Sequence, residues 1–247
     1  MSTSNGSASG ATIAENRTSN GSVSRATKTE NMVLSNDSES GATKEQWLDR
    51  GDTYYDEERY EEALTSYEHV LQTDPDCPPA LICKAYTLND LERYEEALIV
   101  YEQALQVEPE NFIVWSAKGD VLYNLKRFNE AIVAYNQALQ INSNYAVALA
   151  HKGDALYMRS RYKEALDLYE QALCLDKKYV EAYNGKGNIL FEYYRNEEAL
   201  DAYDQALQYD PELAIAHYNR GNVLDRLGKS QEAQQAYKKA KELGYDG

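Results

Sequence analysis

A fixed spacing of 34 residues runs through most of this chain. Tyrosine recurs with that spacing at Tyr67, Tyr101, Tyr135, Tyr169, Tyr203 and Tyr237. Glycine follows the same spacing at Gly51, Gly119, Gly153, Gly187 and Gly221, and Ala85 takes its place once. Because no insertion interrupts the spacing, one supersecondary motif must be repeated in tandem, with its core buried between neighbouring copies. Such an array favours a binding scaffold over an enzyme built around one catalytic centre.

Each repeat has the pattern of two helices, A and B, and we number repeat positions from Lys44. In helix B of the third repeat the apolar residues are Ala131, Ile132, Tyr135, Ala138 and Leu139. Their spacing marks one face of a helix with 3.6 residues per turn. Small residues at positions 8, 20 and 27 allow close approach of two backbones, and the tyrosine fills the remaining space. We therefore assign the tyrosine column to the core and not to a ligand site.

The first repeat contains Trp47, Gly51 and Tyr54 in helix A, Ala63 and Tyr67 in helix B, and then a proline at residue 75. This pattern closely resembles the tetratricopeptide repeat. It departs from the family signature at position 7, which is basic instead of leucine, and at Ser143 and Lys177, which replace the closing proline. The resemblance implies an all-α fold, a right-handed α-solenoid of six helix-turn-helix repeats. Their predicted boundaries are 44–77, 78–111, 112–145, 146–179, 180–213 and 214–247.

Residues 1–43 differ in kind from the repeats, since they are rich in Ser, Thr, Asn and Gly. Their only apolar cluster is Met32-Val33-Leu34. Too little surface can be buried there to offset the entropy of ordering, so we expect a disordered tail. At the other end, Gln234 and Lys241 replace the Leu or Ile of earlier repeats. A terminal repeat needs a polar outer face, so the sixth repeat is expected to cap the array.

Composition excludes several classes of function. The net charge of −16 argues against binding to nucleic acid or to an anionic membrane surface. No apolar stretch approaches 18 residues, and the first residues lack the features of a signal peptide. Three scattered cysteines suit a reducing compartment, so we expect a cytoplasmic location.

No catalytic motif is apparent in the sequence. His69, His151 and His217 do not have the spacing of zinc ligands, and no phosphate-binding loop or nucleophile elbow occurs. We therefore expect no cofactor, no metal and no enzyme activity. An enzyme subunit whose catalytic chain is separate stays open.

Two columns of basic residues stand out against the acidic background. Position 7 is Arg50, Lys84, Lys118, Lys152, Lys186 and Arg220, and position 16 is Arg59, Arg93, Arg127, Arg161, Arg195 and Lys229. Together they hold 12 of the 25 basic residues. They form either a ladder of ion pairs that supports stacking of the repeats or a row of contacts for an anionic partner.

The resemblance implies that helix A lines a concave groove, with positions 5, 9 and 12 among those that face it. The aspartates at these positions are therefore expected to be exposed before a ligand binds. From these positions we select the candidate peptide-binding residues Asp52, Tyr86, Asp120, Tyr123, Asp154, Tyr157, Asn184, Asn188 and Asn222. Carboxylates pair with Lys or Arg, and aromatic rings stack on a guanidinium. Asparagine can bind a peptide backbone through both amide atoms. We predict an extended, basic peptide segment as ligand; the alternative is an inner face that is merely solvated.

The same family includes carboxylate clamps that grip the acidic tails of chaperones. Such a clamp needs basic residues at positions 2 and 5, and here neither column contains one. We therefore expect a protein or peptide partner other than a chaperone tail. The predicted function is a non-catalytic protein–protein interaction scaffold. The alternatives are a structural array that self-associates and an assembly or regulatory factor of a larger complex; the oligomeric state is not predicted.

Overall fold

Twelve α-helices follow one another in residues 42–245, which are the residues that the computed structural model describes. The A helices are α1 Lys44–Asp56, α3 Pro78–Asp90, α5 Phe112–Asn124, α7 Ala146–Met158, α9 Val180–Glu192 and α11 Ala214–Arg226. The B helices are α2 Tyr60–Thr73, α4 Tyr94–Val107, α6 Phe128–Ile141, α8 Tyr162–Leu175, α10 Asn196–Tyr209 and α12 Ser230–Glu242. No strand occurs among these described residues, and the predicted all-α fold of helix-turn-helix repeats is confirmed. The predicted tail, apart from Ala42 and Thr43, lies outside the described residues.

The chain divides into two compact units at residues 126 and 127, so that α1–α5 belong to the first unit and α6–α12 to the second. Within each unit, consecutive helices pack against each other. Each A helix also touches the next A helix of its unit, as α1 does α3 and as α9 does α11. We call these shared surfaces the A-helix face of the first unit (α1, α3, α5) and of the second unit (α7, α9, α11). Across the described chain, no helix has the length and hydropathy that crossing a membrane would require.

The turn from helix A to helix B needs one residue with a left-handed backbone. That residue is Glu58, Glu92, Lys126, Ser160 or Tyr194, with φ between 56° and 60°, and in the sixth repeat it is Gly228. The N–H group of the following residue then bonds back to the end of helix A, as Arg195 does to the carbonyl of Leu190 at 2.9 Å. This bond closes a Schellman motif, which satisfies the last carbonyls of helix A and reverses the chain.

The tyrosine column fills the space between helices A and B, as predicted. Tyr67, Tyr101, Tyr135, Tyr169 and Tyr203 are at most 1% exposed. A Cβ atom added to Gly51, Gly153, Gly187 or Gly221 would lie only 2.4–2.8 Å from a ring carbon of the tyrosine in the same repeat. Glycine is therefore required at position 8 of these four repeats, because the ring packs directly on the backbone of helix A.

The two basic columns form ion pairs of two kinds. The position-7 side chains of Lys84, Lys118, Lys186 and Arg220 reach a carboxylate on helix B of the preceding repeat at 2.6–3.0 Å. The position-16 arginines pair with the glutamate three residues later, as Arg195 does with Glu198 at 2.5 Å. Since these side chains are partly exposed, each pair contributes only about 0–1 kcal/mol. The structure supports the ladder interpretation, with one gap: the residue 16 positions before Lys152 is Asn136, where the other repeats have Asp or Glu.

Candidate functional site

Four of the candidate residues at position 9 are held by the tyrosine column of helix B. The hydroxyl groups of Tyr67, Tyr169, Tyr203 and Tyr237 donate to the Oδ1 atoms of Asp52, Asp154, Asn188 and Asn222, at distances of 2.6–3.0 Å. Tyrosine and acceptor are 15 residues apart in each case. In these four repeats, the Oδ1 atom of the position-9 side chain is thus held by a tyrosine of helix B.

In the second unit, Asn219 joins two candidate residues. Its Nδ2 atom donates to Oδ1 of Asn188 at 3.1 Å and to Oδ1 of Asn184 at 3.3 Å. The Asn188 oxygen therefore accepts two hydrogen bonds, from Asn219 and from Tyr203. The expectation that asparagine offers both amide atoms to a peptide is wrong for Asn188, because a carbonyl oxygen has two lone pairs and both are in use.

An arginine of the chain itself covers the aromatic ring at position 12 of the fifth repeat. The guanidinium carbon of Arg226 lies 3.4 Å from the ring centre of Phe191 and 4.9 Å from that of Tyr194. Its Nη1 atom also donates to the Phe191 carbonyl at 2.7 Å. We expected a ligand to supply the cation that stacks on such rings. At Phe191 the cation is instead Arg226 of the same unit.

On the A-helix face of the first unit, polar side chains gather around the Tyr101 phenol. Burial raises the pKa of Tyr101 well above its usual value, and the nearby Tyr86, Asp120, Asp90 and Tyr55 raise it further. The hydroxyl of Tyr55 donates to Oδ2 of Asp90. Two carboxylates and three phenols thus lie close together where helices α1, α3 and α5 meet.

Asn89 is the buried amide of this group. It is 6% exposed, and its Nδ2 atom donates to Oδ1 of Asp90 at 3.4 Å. Its own oxygen accepts no hydrogen bond from any described residue. We call Tyr55, Tyr86, Asn89, Asp90 and Asp120 the acidic cluster. A buried carbonyl oxygen without a hydrogen-bond donor lowers the stability of the fold by roughly 1–3 kcal/mol. An N–H or O–H group placed beside the Asn89 oxygen would therefore be bound favourably.

The remaining candidate residues are more buried than a free groove surface would be. Asp120 and Tyr86 are 7% and 5% exposed, whereas an exposed Asp120 was expected. The ring centres of Tyr157 and Tyr162 are 5.2 Å apart, and burial raises the pKa of Tyr157 to about 12. Tyr123 is half-buried on α5.

Sequence reasoning missed Asn89, Asp90, Asn219 and Arg226. A usable signal exists, since the pairs Tyr55 and Asp90, Asn184 and Asn219, and Phe191 and Arg226 are each 35 residues apart, one repeat plus one residue.

Comparison with known families agrees with this architecture. Four family models match, described as "Tetratricopeptide repeat" at residues 54–121, 110–178 and 214–245 and as "TPR repeat" at residues 187–228. No curated protein sequence matches the chain.

Solved structures share the fold at low sequence identity. A structure from the functional characterization of Pseudomonas aeruginosa pilF is 19% identical, with 83% of this chain and 93% of that chain covered and a TM-score of 0.72. TTC0263, a thermophilic TPR protein of Thermus thermophilus, is 22% identical over 74% and 99%, with a TM-score of 0.61. YrrB, described as a TPR protein with an unusual peptide-binding site, is 22% identical over 73% and 93%, with a TM-score of 0.55.

At these identities the solved structures show a shared fold and no shared ligand. The family models, the paired helices and the glycine–tyrosine packing agree with one another over the described repeats. This chain belongs to the tetratricopeptide repeat family.

Proposed function

We propose that this protein is a non-catalytic interaction scaffold that holds an extended, basic peptide segment of a partner on its A-helix faces. The tetratricopeptide repeat is a fold of protein–protein interaction modules, which supports the general class. The proposed contact residues are Asp52, Tyr86, Asp120, Tyr123, Asp154, Tyr157, Asn184, Asn188 and Asn222. Three free cysteines, Cys77, Cys83 and Cys174, favour action in a reducing compartment such as the cytoplasm.

The acidic cluster of the first unit carries this proposal. Asn89 presents a buried oxygen that lacks a hydrogen-bond donor, and the carboxylates of Asp90 and Asp120 lie on the same face. A lysine or arginine side chain supplies N–H donors and positive charge together. Tyr55 and Tyr86 belong to the same cluster, and aromatic rings favour a cation over a neutral amide. We therefore assign the basic side chain of the ligand to this cluster.

The test uses the full chain and a library of random 12-residue peptides, from which binders are selected and their affinities measured. Asp90→Asn and Asp120→Asn keep the shape of the cluster and remove its charge. We expect each to weaken the selected lysine- or arginine-containing peptides by about 1–3 kcal/mol. The loss of affinity with added salt should also become less steep in these variants. Asp76→Asn, at an exposed position between two helices, is the matched control and should change neither.

A contrary outcome is equally specific. If the two cluster variants bind as tightly as the parent chain, and Arg127→Glu with Arg161→Glu abolishes binding, the partner is anionic and binds the position-16 column. The proposed role of the A-helix face of the first unit would then be wrong.

One observation favours a second candidate, the self-associating array. Ile99 on α4 and Val133 on α6 are each 58% exposed on B helices, where a soluble monomer gains nothing from large apolar side chains. Sedimentation of the full chain over a hundredfold range of concentration tests this candidate. A mass that rises with concentration, and that Ile99→Ser with Val133→Ser returns to that of a single chain, would establish it.

A further inference from the structure

The negative charge of the chain is concentrated in the first unit. Residues 42–126 contain 19 acidic and 7 basic side chains, a net charge of −12. Residues 127–247 contain 18 acidic and 15 basic side chains, a net charge of −3. The acidic cluster lies in the first unit, on the face that α1, α3 and α5 share. A cationic segment is therefore attracted to the first unit far more strongly than to the second.

Two buried polar atoms on the A-helix face of the first unit find no hydrogen-bond partner among the described residues. One is Oδ1 of Asn89, and the other is Oγ of Ser116. Ser116 is 2% exposed and lies four residues before Asp120 on α5, so the two side chains share one face of that helix. Buried polar atoms are rarely left in this state in native proteins. Hydrogen-bond donors brought by a ligand would satisfy both atoms.

The chain has a cationic segment of its own before the first repeat. Residues 16–29, which we call the basic block, contain Arg17, Arg25 and Lys28 and no acidic residue. The acidic residues among the first 43 all lie outside the block, at Glu15, Glu30, Asp37 and Glu39. Arginine and lysine side chains each offer several N–H donors and no acceptor. The basic block thus complements both the charge of the acidic cluster and its buried acceptor atoms.

The chain that joins the basic block to the first unit has a suitable length for an intramolecular contact. Thr43 caps the start of α1, so the chain enters the first unit at that point. Tyr55 of the acidic cluster lies 12 residues further along α1, or about 18 Å along the helix axis. Lys28 is 15 residues before Thr43, and an irregular chain of that length spans about 20 Å on average. Because the two lengths match, a tethered block reaches an effective concentration in the millimolar range at the cluster.

We propose that the basic block is an intramolecular ligand of the acidic cluster, and that a partner must displace it to bind the A-helix face of the first unit. Asp90 and Tyr55 are partly exposed, so a long basic side chain has access to the cluster beside the Asp90 carboxylate. This inference rests on the proposed function, since it names a competitor for the same site. The affinity for a partner is then lowered by the fraction of chains in which the block occupies the cluster.

The experiment uses a fluorescein-labelled peptide with the sequence of residues 16–29 as the probe, and fluorescence anisotropy follows its binding to the full chain. The parent chain is compared with a full-chain triple variant that combines Arg17→Gln, Arg25→Gln and Lys28→Gln. We expect the triple variant to bind the probe about tenfold or more tightly than the parent chain, because its own block no longer competes. Added salt should reduce this difference, since salt screens the contact between the block and the cluster.

Matched controls assign the effect to the cluster and to the charge of the block. In the triple variant, Asp90→Asn should weaken the probe about fivefold or more, whereas Asp76→Asn, at an exposed position outside the cluster, should not. Asn20→Gln changes the block without changing its charge, so a chain with this substitution alone should bind the probe as weakly as the parent chain. Thermal melting by circular dichroism reports whether each variant is folded.

Equal affinity of the parent chain and the triple variant for the probe would overturn the intramolecular contact. A difference that falls as the chain is diluted would place the block on a second copy, which also contradicts the proposal. Selection from the random peptide library on the triple variant tests the proposed function separately. If the selected peptides depend on Asp90 but the probe does not bind, the basic block is not a ligand and the proposed function stands. If the probe binds through Asp90 and no library peptide does, the proposed function fails while the intramolecular contact remains.

Discussion

Gly187→Ala tests the closest contact in the repeat, that between the helix A backbone and the buried tyrosine. The added Cβ would lie 2.6 Å from Cε1 of Tyr203, whereas ordinary contact begins at 3.4 Å. The ring must therefore move by about 0.8 Å, the difference between these two distances. Tyr203 is 1% exposed and its hydroxyl is bonded to Asn188 at 2.7 Å, so the ring has little room to move.

The expected free-energy change combines three effects. Overpacking costs about 1–3 kcal/mol, and stretching the hydroxyl bond costs about 1 kcal/mol more. The higher helix propensity of alanine returns about 1 kcal/mol. We expect Gly187→Ala to lower the free energy of unfolding by about 1–3 kcal/mol.

Ala85→Gly is the natural counterpart of this change. Repeat 2 already has alanine at position 8, and there position 9 is Tyr86, whose ring meets that of Tyr101 edge to face at 5.7 Å. Tyr101 thus has an aromatic ring at position 9 in place of an amide or carboxylate, and both Tyr101 and Ala85 are buried in this repeat. Ala85→Gly should cost about 1 kcal/mol through helix propensity alone.

Urea unfolding followed by circular dichroism measures both changes, and hydrogen exchange locates them. Loss of protection in Gly187→Ala should centre on α9 and α10, because a repeat array is stabilised by nearest neighbours. A Gly187→Ala variant as stable as the parent chain, or with protection lost evenly across all repeats, would refute the packing argument.

Two further predictions concern single positions. Asn136→Glu should complete the ion-pair ladder by giving Lys152 a carboxylate, raising stability by about 0.2–1 kcal/mol at low salt. Burial lowers the pKa of Lys152, so its charged form is disfavoured in the folded protein, and the introduced pair should lose its contribution as pH rises through that pKa. Thermal melting at two salt concentrations and across alkaline pH measures this, and an equal gain in high salt would count against an ion pair. Tyr194→Gly should raise the free energy of unfolding by about 1 kcal/mol, since glycine has no penalty at positive φ; a variant that is less stable than the parent chain would show that Tyr194 is not strained.

The sequence was enough to predict the contacts that form within a single repeat. The spacing of Gly187, Ala199 and Tyr203 identified the helix pair and its core because those residues meet within a single repeat. It failed for Asp120, which was expected to be exposed and is buried. Exposure depends on how adjacent A helices approach, and a single repeat does not contain that information.

The acidic cluster and the contacts of Arg226 with Phe191 illustrate the same limit. Tyr55 meets Asp90, and Phe191 meets Arg226, across two neighbouring A helices. The offset of 35 residues between such partners follows from the lateral stagger of the helices, which the pattern of hydrophobic residues does not specify. The orientation of the Asn188 amide could not be predicted either, because it is set by hydrogen bonds from Asn219 and Tyr203 to its oxygen.

The tyrosine hydroxyl that binds the position-9 side chain in four of the repeats has an evolutionary consequence. Aspartate and asparagine have the same shape, and in both cases the phenol binds Oδ1, as at Asp154 and Asn188. What differs is the second atom, an oxygen in one residue and an NH₂ group in the other. Exchanging the two residues therefore changes that atom from a hydrogen-bond acceptor to a donor, or the reverse, while the packing of the helix pair stays the same. A chain built in this way can change partners by isosteric substitutions, one repeat at a time, while its core remains the same.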